Sequence, residues 1–149
     1  MNFRNKFMPT EKTILTPELK VLNFQESLDF YTKLAGFEIL YDRPEEDFAM
    51  LGINGARLMI EGLTEKSRTW KVGNLERPFG RGMHFQIEIP DVQSLYENFK
   101  KANYPIFFEM EEKWYRKNDK EVGNKQFLVQ DPDGYLLRFF QDLGIRHRQ

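Results

Sequence analysis

The chain has 149 residues, no cysteine, two histidines and a formal net charge of −1. A chain this long buries about 70% of the surface its unfolded form exposes, enough for a real core. The missing cysteine excludes disulfides, thiolate metal centres and thiol nucleophiles. The near-zero charge leaves no bulk basic footprint for nucleic acid, and no apolar run approaches the roughly 18 residues of a membrane span.

Residues 1–12 carry charge without an apolar stretch, so a loose end is expected there rather than a signal peptide. A strand is expected over Pro17–Leu22. Asn23, followed three residues later by Glu26, has capping-box spacing and opens a helix whose apolar positions are Phe24, Leu28, Tyr31 and Ala35. Gly36 tolerates the left-handed conformation that ends a helix. Strands follow over Phe37–Tyr41, Phe48–Ile53 and Arg57–Glu61, with Asn54-Gly55 as a two-residue hairpin turn. Residues 63–81, with Gly73, Pro78 and Gly80, read as a linker.

The same order then returns. A strand over Gly82–Ile89 leads to a helix capped by Asp91, with Val92, Leu95, Phe99 and Ala102 on one face and Asn103 at its end. Strands follow over Ile106–Met110, Gln126–Gln130 and Tyr135–Gln141, the last two joined by Asp131-Pro132-Asp133-Gly134. In that turn Pro presets φ and Gly accepts φ > 0. Glu111–Glu121, with eight charges in eleven residues, reads as a solvated hairpin tip, and 144–149 as a loose end. Ser27-Leu28 and Ser94-Leu95 each stand eight residues before an Ala, a faint internal repeat. The expectation is an α+β fold of two βαβββ modules, spanning 13–62 and 82–143 within a single domain over 13–143.

Side chains alternate across a strand, so Leu19 and Val21 oppose Glu18 and Lys20, and Leu58 and Ile60 oppose Arg57, Met59 and Glu61. Likewise Phe85, Ile87 and Ile89 oppose His84, Gln86 and Glu88, while Leu137 and Phe139 oppose Leu136, Arg138 and Phe140. Each module thus has one apolar face for its helix. Its other face mixes ionisable groups with large apolar ones, which suits a ligand pocket better than open solvent.

The run Leu19-Lys20-Val21, Ser27-Leu28-Asp29-Phe30-Tyr31 and Gly36-Phe37, with the late Asp131-Pro132-Asp133-Gly134-Tyr135, resembles the vicinal-oxygen-chelate superfamily. That group contains glyoxalase I, bleomycin resistance proteins and extradiol dioxygenases. The resemblance spans about residues 14–143 and implies paired βαβββ modules with curled mixed sheets forming a cup, usually in a homodimer. Metalloenzymes of the superfamily draw ligands from the first and last strand of each module. Those places here are Thr16, Glu61, His84 and Arg138. Glu61 and His84 are competent ligands, and Glu18 is a possible substitute, but Thr16 is a poor ligand and a guanidinium repels a cation. A catalytic ion normally takes at least three protein ligands, so no metal and no other cofactor is expected. Arg138 and Glu61 are expected to pair with each other instead.

Glu121-Val122-Gly123-Asn124-Lys125-Gln126-Phe127 resembles the bleomycin-resistance-type branch, whose members bind a bulky ligand without chemistry. Many of them have Trp-Gly where Val122-Gly123 stand, and Trp114-Tyr115 is the candidate replacement platform. The absent cysteine fits a cytoplasmic location, and the resemblance implies a dimeric binding protein for a small, bulky aromatic or peptide-like compound, bleomycin-like in kind. Its ligand-binding candidates are Phe48, Met59, Glu61, His84, Gln86, Trp114, Tyr115 and Arg138. The alternative is a metal-dependent glyoxalase, dioxygenase or thiol-transferase-like enzyme, with Glu61 and His84 on the ion. A third reading is a metal-free enzyme using Glu61 or His84 as general base. No Gly-x-Gly-x-x-Gly, P-loop, Gly-x-Ser-x-Gly or His-Glu-x-x-His motif occurs.

Overall fold

Asn54 and Gly55 both take positive φ (47° and 85°), which is the backbone a two-residue hairpin needs. They join β3 (Phe48–Ile53) to β4 (Ala56–Gly62). The structure, a computed structural model, describes residues 13–65 and 68–148; the expected loose end at 1–12 lies outside the described residues. The chain divides between Leu75 and Glu76 into two compact units.

The first unit is built from β1 (Glu18–Val21), α1 (Phe24–Asp29), β2 (Glu38–Arg43), β3 and β4. Its sheet runs β1-β4-β3-β2, with β1 parallel to β4 and the other pairs antiparallel. Asn23 caps α1 as expected, its side-chain oxygen accepting from the Glu26 N–H at 3.0 Å. Asn23→Ala is expected to lower stability by about 1 kcal/mol, measurable as a shift in urea midpoint with unchanged slope. The helix does not run regularly to Ala35. Phe30–Leu34 form a wider π turn, in which the Ala35 N–H reaches the Phe30 carbonyl. That turn lets Phe30 and Tyr31, adjacent in sequence, both go under cover, with Tyr31 edge-on to Phe30 and Phe37. Val21, Ala49, Leu51 and Ile60, none of them exposed, complete this core.

The second unit repeats the plan with β5 (His84–Glu88), α2 (Val92–Lys101), β6 (Phe108–Lys117), β7 (Lys120–Gln130) and β8 (Leu136–His147). Its sheet runs β5-β8-β7-β6, with β5 parallel to β8. Asp91 accepts from the Ser94 N–H at the start of α2, and Asn103 ends the helix at φ 53°. Phe99 packs against Phe127 and Phe139 at centroid distances of 5.9 and 6.3 Å.

Three boundaries differ from expectation. The charged stretch over Glu111–Glu121 is mostly strand, turning only at Asn118-Asp119. Its charges stand along β6, the edge of the sheet, where charged side chains are well placed to discourage further pairing. Residues 144–147 are not loose, because the eleven-residue β7 offers them partners: Lys120 lies opposite His147, and Arg146 pairs with Glu121 at 3.1 Å. The end of the expected linker is also anchored. Phe79 is 4% exposed and donates its N–H to the Asp133 carbonyl, while Arg77 pairs with the Asp133 carboxylate at 3.0 Å. Gly134, at φ 97°, leaves space there, since a Cβ would sit 2.6 Å from Pro78 Cα. Among the described residues no helix is long and apolar enough to cross a membrane.

Candidate functional site

The strand registers turn the expected alternation into cross-strand rows. In the first unit Arg43, Phe48, Glu61 and Lys20 stand opposite one another across all four strands. Tyr41, Met50, Met59 and Glu18 form the neighbouring row on the same face. Phe48, Met59 and Glu61, three of the expected ligand-binding residues, are therefore neighbours.

This face is held by charge. The Lys20 ammonium lies 2.9 Å from Glu18 Oε1 and 3.4 Å from Glu61 Oε1, and donates to the Arg68 carbonyl at 3.0 Å. The side chains of Lys20 and Glu61 are only 11% and 13% exposed, so their pairing is screened far less than a surface ion pair. The Arg43 guanidinium lies 3.9 Å over the Phe48 ring, with Tyr41 tilted against it at 5.9 Å. Glu46 accepts from Arg43 Nε at 2.7 Å, and that hydrogen bond raises the guanidinium's pKa further. Phe48 is consequently 3% exposed, a wall residue lying under a cation.

In the second unit Gln86, Arg138 and Leu128 form one row, and Glu88, Phe140, Gln126 and Glu111 the next. His84 stands on the same face, opposite Leu136, and is exposed. Arg138 donates from Nη2 to Gln86 Oε1, and its guanidinium carbon lies 5.9 Å from the Tyr115 ring centroid. Gln126, 3% exposed, donates from Nε2 to the Tyr115 hydroxyl at 2.6 Å and to Glu111 Oε1 at 3.0 Å. The structure thus groups Gln86, Tyr115 and Arg138 of the expected set, with His84 at the margin.

Trp114 and Tyr115, adjacent on a strand, take opposite faces. Tyr115 pairs with Val122 and Trp114 with Gly123. Trp114 covers Gly123 so closely that a Cβ there would meet its ring at 2.7 Å, and Arg146 stacks on it at 4.1 Å. Trp114 is therefore placed on the face that carries Phe127 toward α2, away from Tyr115 and Gln126. Lys20, Arg43, Glu111 and Gln126 were not singled out from sequence. Alternation placed Lys20 beside Glu18, but the register that brings Glu61 to it is set only by the fold.

Residues 14–139 match the family described as the Glyoxalase/Bleomycin resistance protein/Dioxygenase superfamily. The chain belongs to this superfamily. Among characterised superfamily proteins it is similar to the bleomycin resistance protein of Geobacillus stearothermophilus, 25% identical over 137 residues covering 85% of this chain and 95% of that one. It is also similar to the lactoylglutathione lyase of Neisseria meningitidis serogroup A, 24% identical over 136 residues covering 86% and 89%. In fold it is similar to TioX from Micromonospora sp. ML1, with a TM-score of 0.66 at 20% identity over 89% of this chain and 100% of that one.

Superfamily membership raises the question of a metal, and the donors at each position bear on it. Thr16 lies ahead of β1 with its hydroxyl 3.1 Å from that of Thr13. Glu61 and its possible substitute Glu18 already share the Lys20 ammonium. In the second unit Arg138 carries a fixed positive charge of its own. Within each unit, among the described residues, no three His, Asp or Glu side chains gather as an ion would need. Neither the Thr16 hydroxyl nor the Arg138 guanidinium is a donor that a divalent cation takes readily.

Proposed function

We propose that the chain is a non-catalytic binding protein of the bleomycin-resistance type. It sequesters a bulky aromatic or peptide-like compound in a cup at the interface of a homodimer. The observation that carries this reading is Lys20. Its ammonium takes the carboxylates of Glu18 and Glu61, so the first unit presents fixed charges, with the Phe48 ring covered by the Arg43 guanidinium beside them, where a metalloenzyme would present ligands. Tyr115, cross-strand partner of Val122, supplies the aromatic surface on the second unit. The 25% identity to bleomycin resistance proteins supports the same reading.

Calorimetric titration with metal-free bleomycin is the test, paired with drug tolerance on expression. Saturable heat and raised tolerance are expected, with a dimer mass by analytical ultracentrifugation. No heat together with no tolerance would overturn the bleomycin-type assignment.

A metal-dependent enzyme is the second reading, favoured by the similarity to lactoylglutathione lyase. Metal analysis of protein purified without a histidine tag separates the two. The binding reading expects substoichiometric Mn, Fe, Ni and Zn, whereas one equivalent of any of them would overturn its metal-free site.

A further inference from the structure

Arg43 is held more firmly than a half-exposed arginine requires. Its guanidinium carbon lies 3.9 Å from the Phe48 ring centroid, so one face of the plane is covered. Its Nε donates to Glu46 Oε2 at 2.7 Å, so one edge is fixed as well. Glu46 is itself set in place. It ends a short 3-10 turn over Pro44–Glu46, and Asp47 follows in the left-handed region at φ 51°. The Asp47 N–H donates to the Pro44 carbonyl at 3.1 Å, and the Gly62 N–H donates to the Asp47 carbonyl at 2.8 Å. That second bond ties the turn to the end of β4, where Gly62 leaves room for it: a Cβ there would lie 2.9 Å from Asp47 Cβ. Yet 43% of the Arg43 side chain stays exposed. With one face on Phe48 and the Nε edge on Glu46, that exposure lies at the other face and the Nη end. Ordering so long a side chain costs entropy. Here the ordering is complete before a ligand arrives, which is the condition for a preorganised contact.

We infer that the exposed face of the Arg43 guanidinium is a stacking platform for an uncharged aromatic ring of the ligand. The guanidinium then lies sandwiched between the Phe48 ring and the ligand ring. This deepens the binding reading above and rests on it, naming the residue that takes the ring. Phe48, 3% exposed, becomes a positioning residue that holds the plane without touching the ligand. The placement fits the face already described. Arg43 shares its row with Phe48, Glu61 and Lys20, and Tyr41, 49% exposed, borders it in the next row. A guanidinium suits the task because it is planar, weakly hydrated and attracted to aromatic faces. Charge selects the ring. A cationic ring meets the guanidinium at contact distance. An anionic ring gains little, since Glu46 already balances Arg43 and Glu61 stands in the same row. An uncharged ring meets neither penalty.

The experiment titrates the isotopically labelled full chain with phenol, cyclohexanol and benzoate, following the Arg43 Nε–H and the β2 backbone amides by NMR. Phenol is expected to move the Arg43 Nε–H upfield saturably, through the ring current of a stacked plane. It should bind about fivefold tighter than cyclohexanol, its saturated counterpart. Benzoate should bind no tighter than phenol, and metal-free bleomycin should give the same upfield shift. Arg43→Lys keeps the charge and removes the plane, and is expected to weaken phenol about fivefold, read at the β2 amides. Phe48→Leu releases the plane and should weaken phenol too, with no further loss in Arg43→Lys/Phe48→Leu. Because Phe48 is buried, Arg43→Lys is the deciding variant if Phe48→Leu fails to fold. Equal affinity for phenol and cyclohexanol, tighter benzoate, or unchanged phenol affinity in Arg43→Lys would overturn the platform. So would bleomycin heat without a shift at Arg43, and each of these leaves the binding reading intact. Silence at this face with all three probes and with bleomycin would overturn both.

Discussion

Phe127→Ala is expected to cost about 3–5 kcal/mol of stability, the range for deleting a fully buried aromatic ring. Phe127 is 0% exposed and lies 5.9 Å from Phe99, 5.7 Å from Phe139 and 5.2 Å from Tyr96 by ring centroid. Rings in mutual contact cannot collapse inward without leaving their own rotamers, so the cavity stays largely open. The loss should appear as a lower urea midpoint with little change in slope. Phe108→Ala, at a ring 46% exposed on the edge strand, serves as the control and should change stability by less than about 0.5 kcal/mol. An equal loss at both positions would mean that the Phe99–Phe127–Phe139 stack is not the core of the second unit. The effect should reach ligand binding too, because Gln126 is the next residue on β7 and faces the other way.

The second large effect is expected at Lys20. Lys20→Met keeps the length of the aliphatic stem and removes the ammonium, leaving Glu18 and Glu61 facing each other's charge. Removing one partner of a fully buried pair costs about 3–5 kcal/mol. With Glu18 26% exposed and Glu61 13% exposed, solvent lowers that expectation to about 2–3 kcal/mol. The double variant Lys20→Met/Glu61→Gln should recover part of the loss, giving a coupling energy of at least about 0.5 kcal/mol by double-mutant cycle. Additive single effects would show that the three side chains are neighbours without being an ionic cluster, and would remove the main support for the metal-free reading.

Much of the fold was legible because it is written in local chemistry. Asn54-Gly55, the Asp131–Gly134 turn and the caps at Asn23 and Asp91 each act within four residues, and each appears where its side-chain chemistry places it. Strand alternation also sorted both polar faces from both cores. What stayed hidden depends on partners distant in sequence. Glu111–Lys117 reads as a solvated tip because charge masks the alternation. It is strand only because β7 runs far enough to pair with it. Arg146 and His147 are ordered for the same reason. The candidate site divides similarly. Arg138 and Gln86 were reachable from face and residue type, and Tyr115 only through the family resemblance. Gln126 and Lys20 matter because of what stands opposite them, and register is not a property of one strand.

The parallel pairing of β1 with β4 bears on the order in which this protein assembles. The β3–β4 hairpin closes over two residues, but the β1 register joins Glu18 to Met59 and Lys20 to Glu61, contacts between segments 41 residues apart. Closure entropy rises with the length of chain enclosed, and hairpins form in microseconds. Strand β1 is therefore expected to seat after the hairpins, with the fully buried Val21 then fixing it against the core. Because β1 carries Lys20, the charged face is finished only at the end of folding.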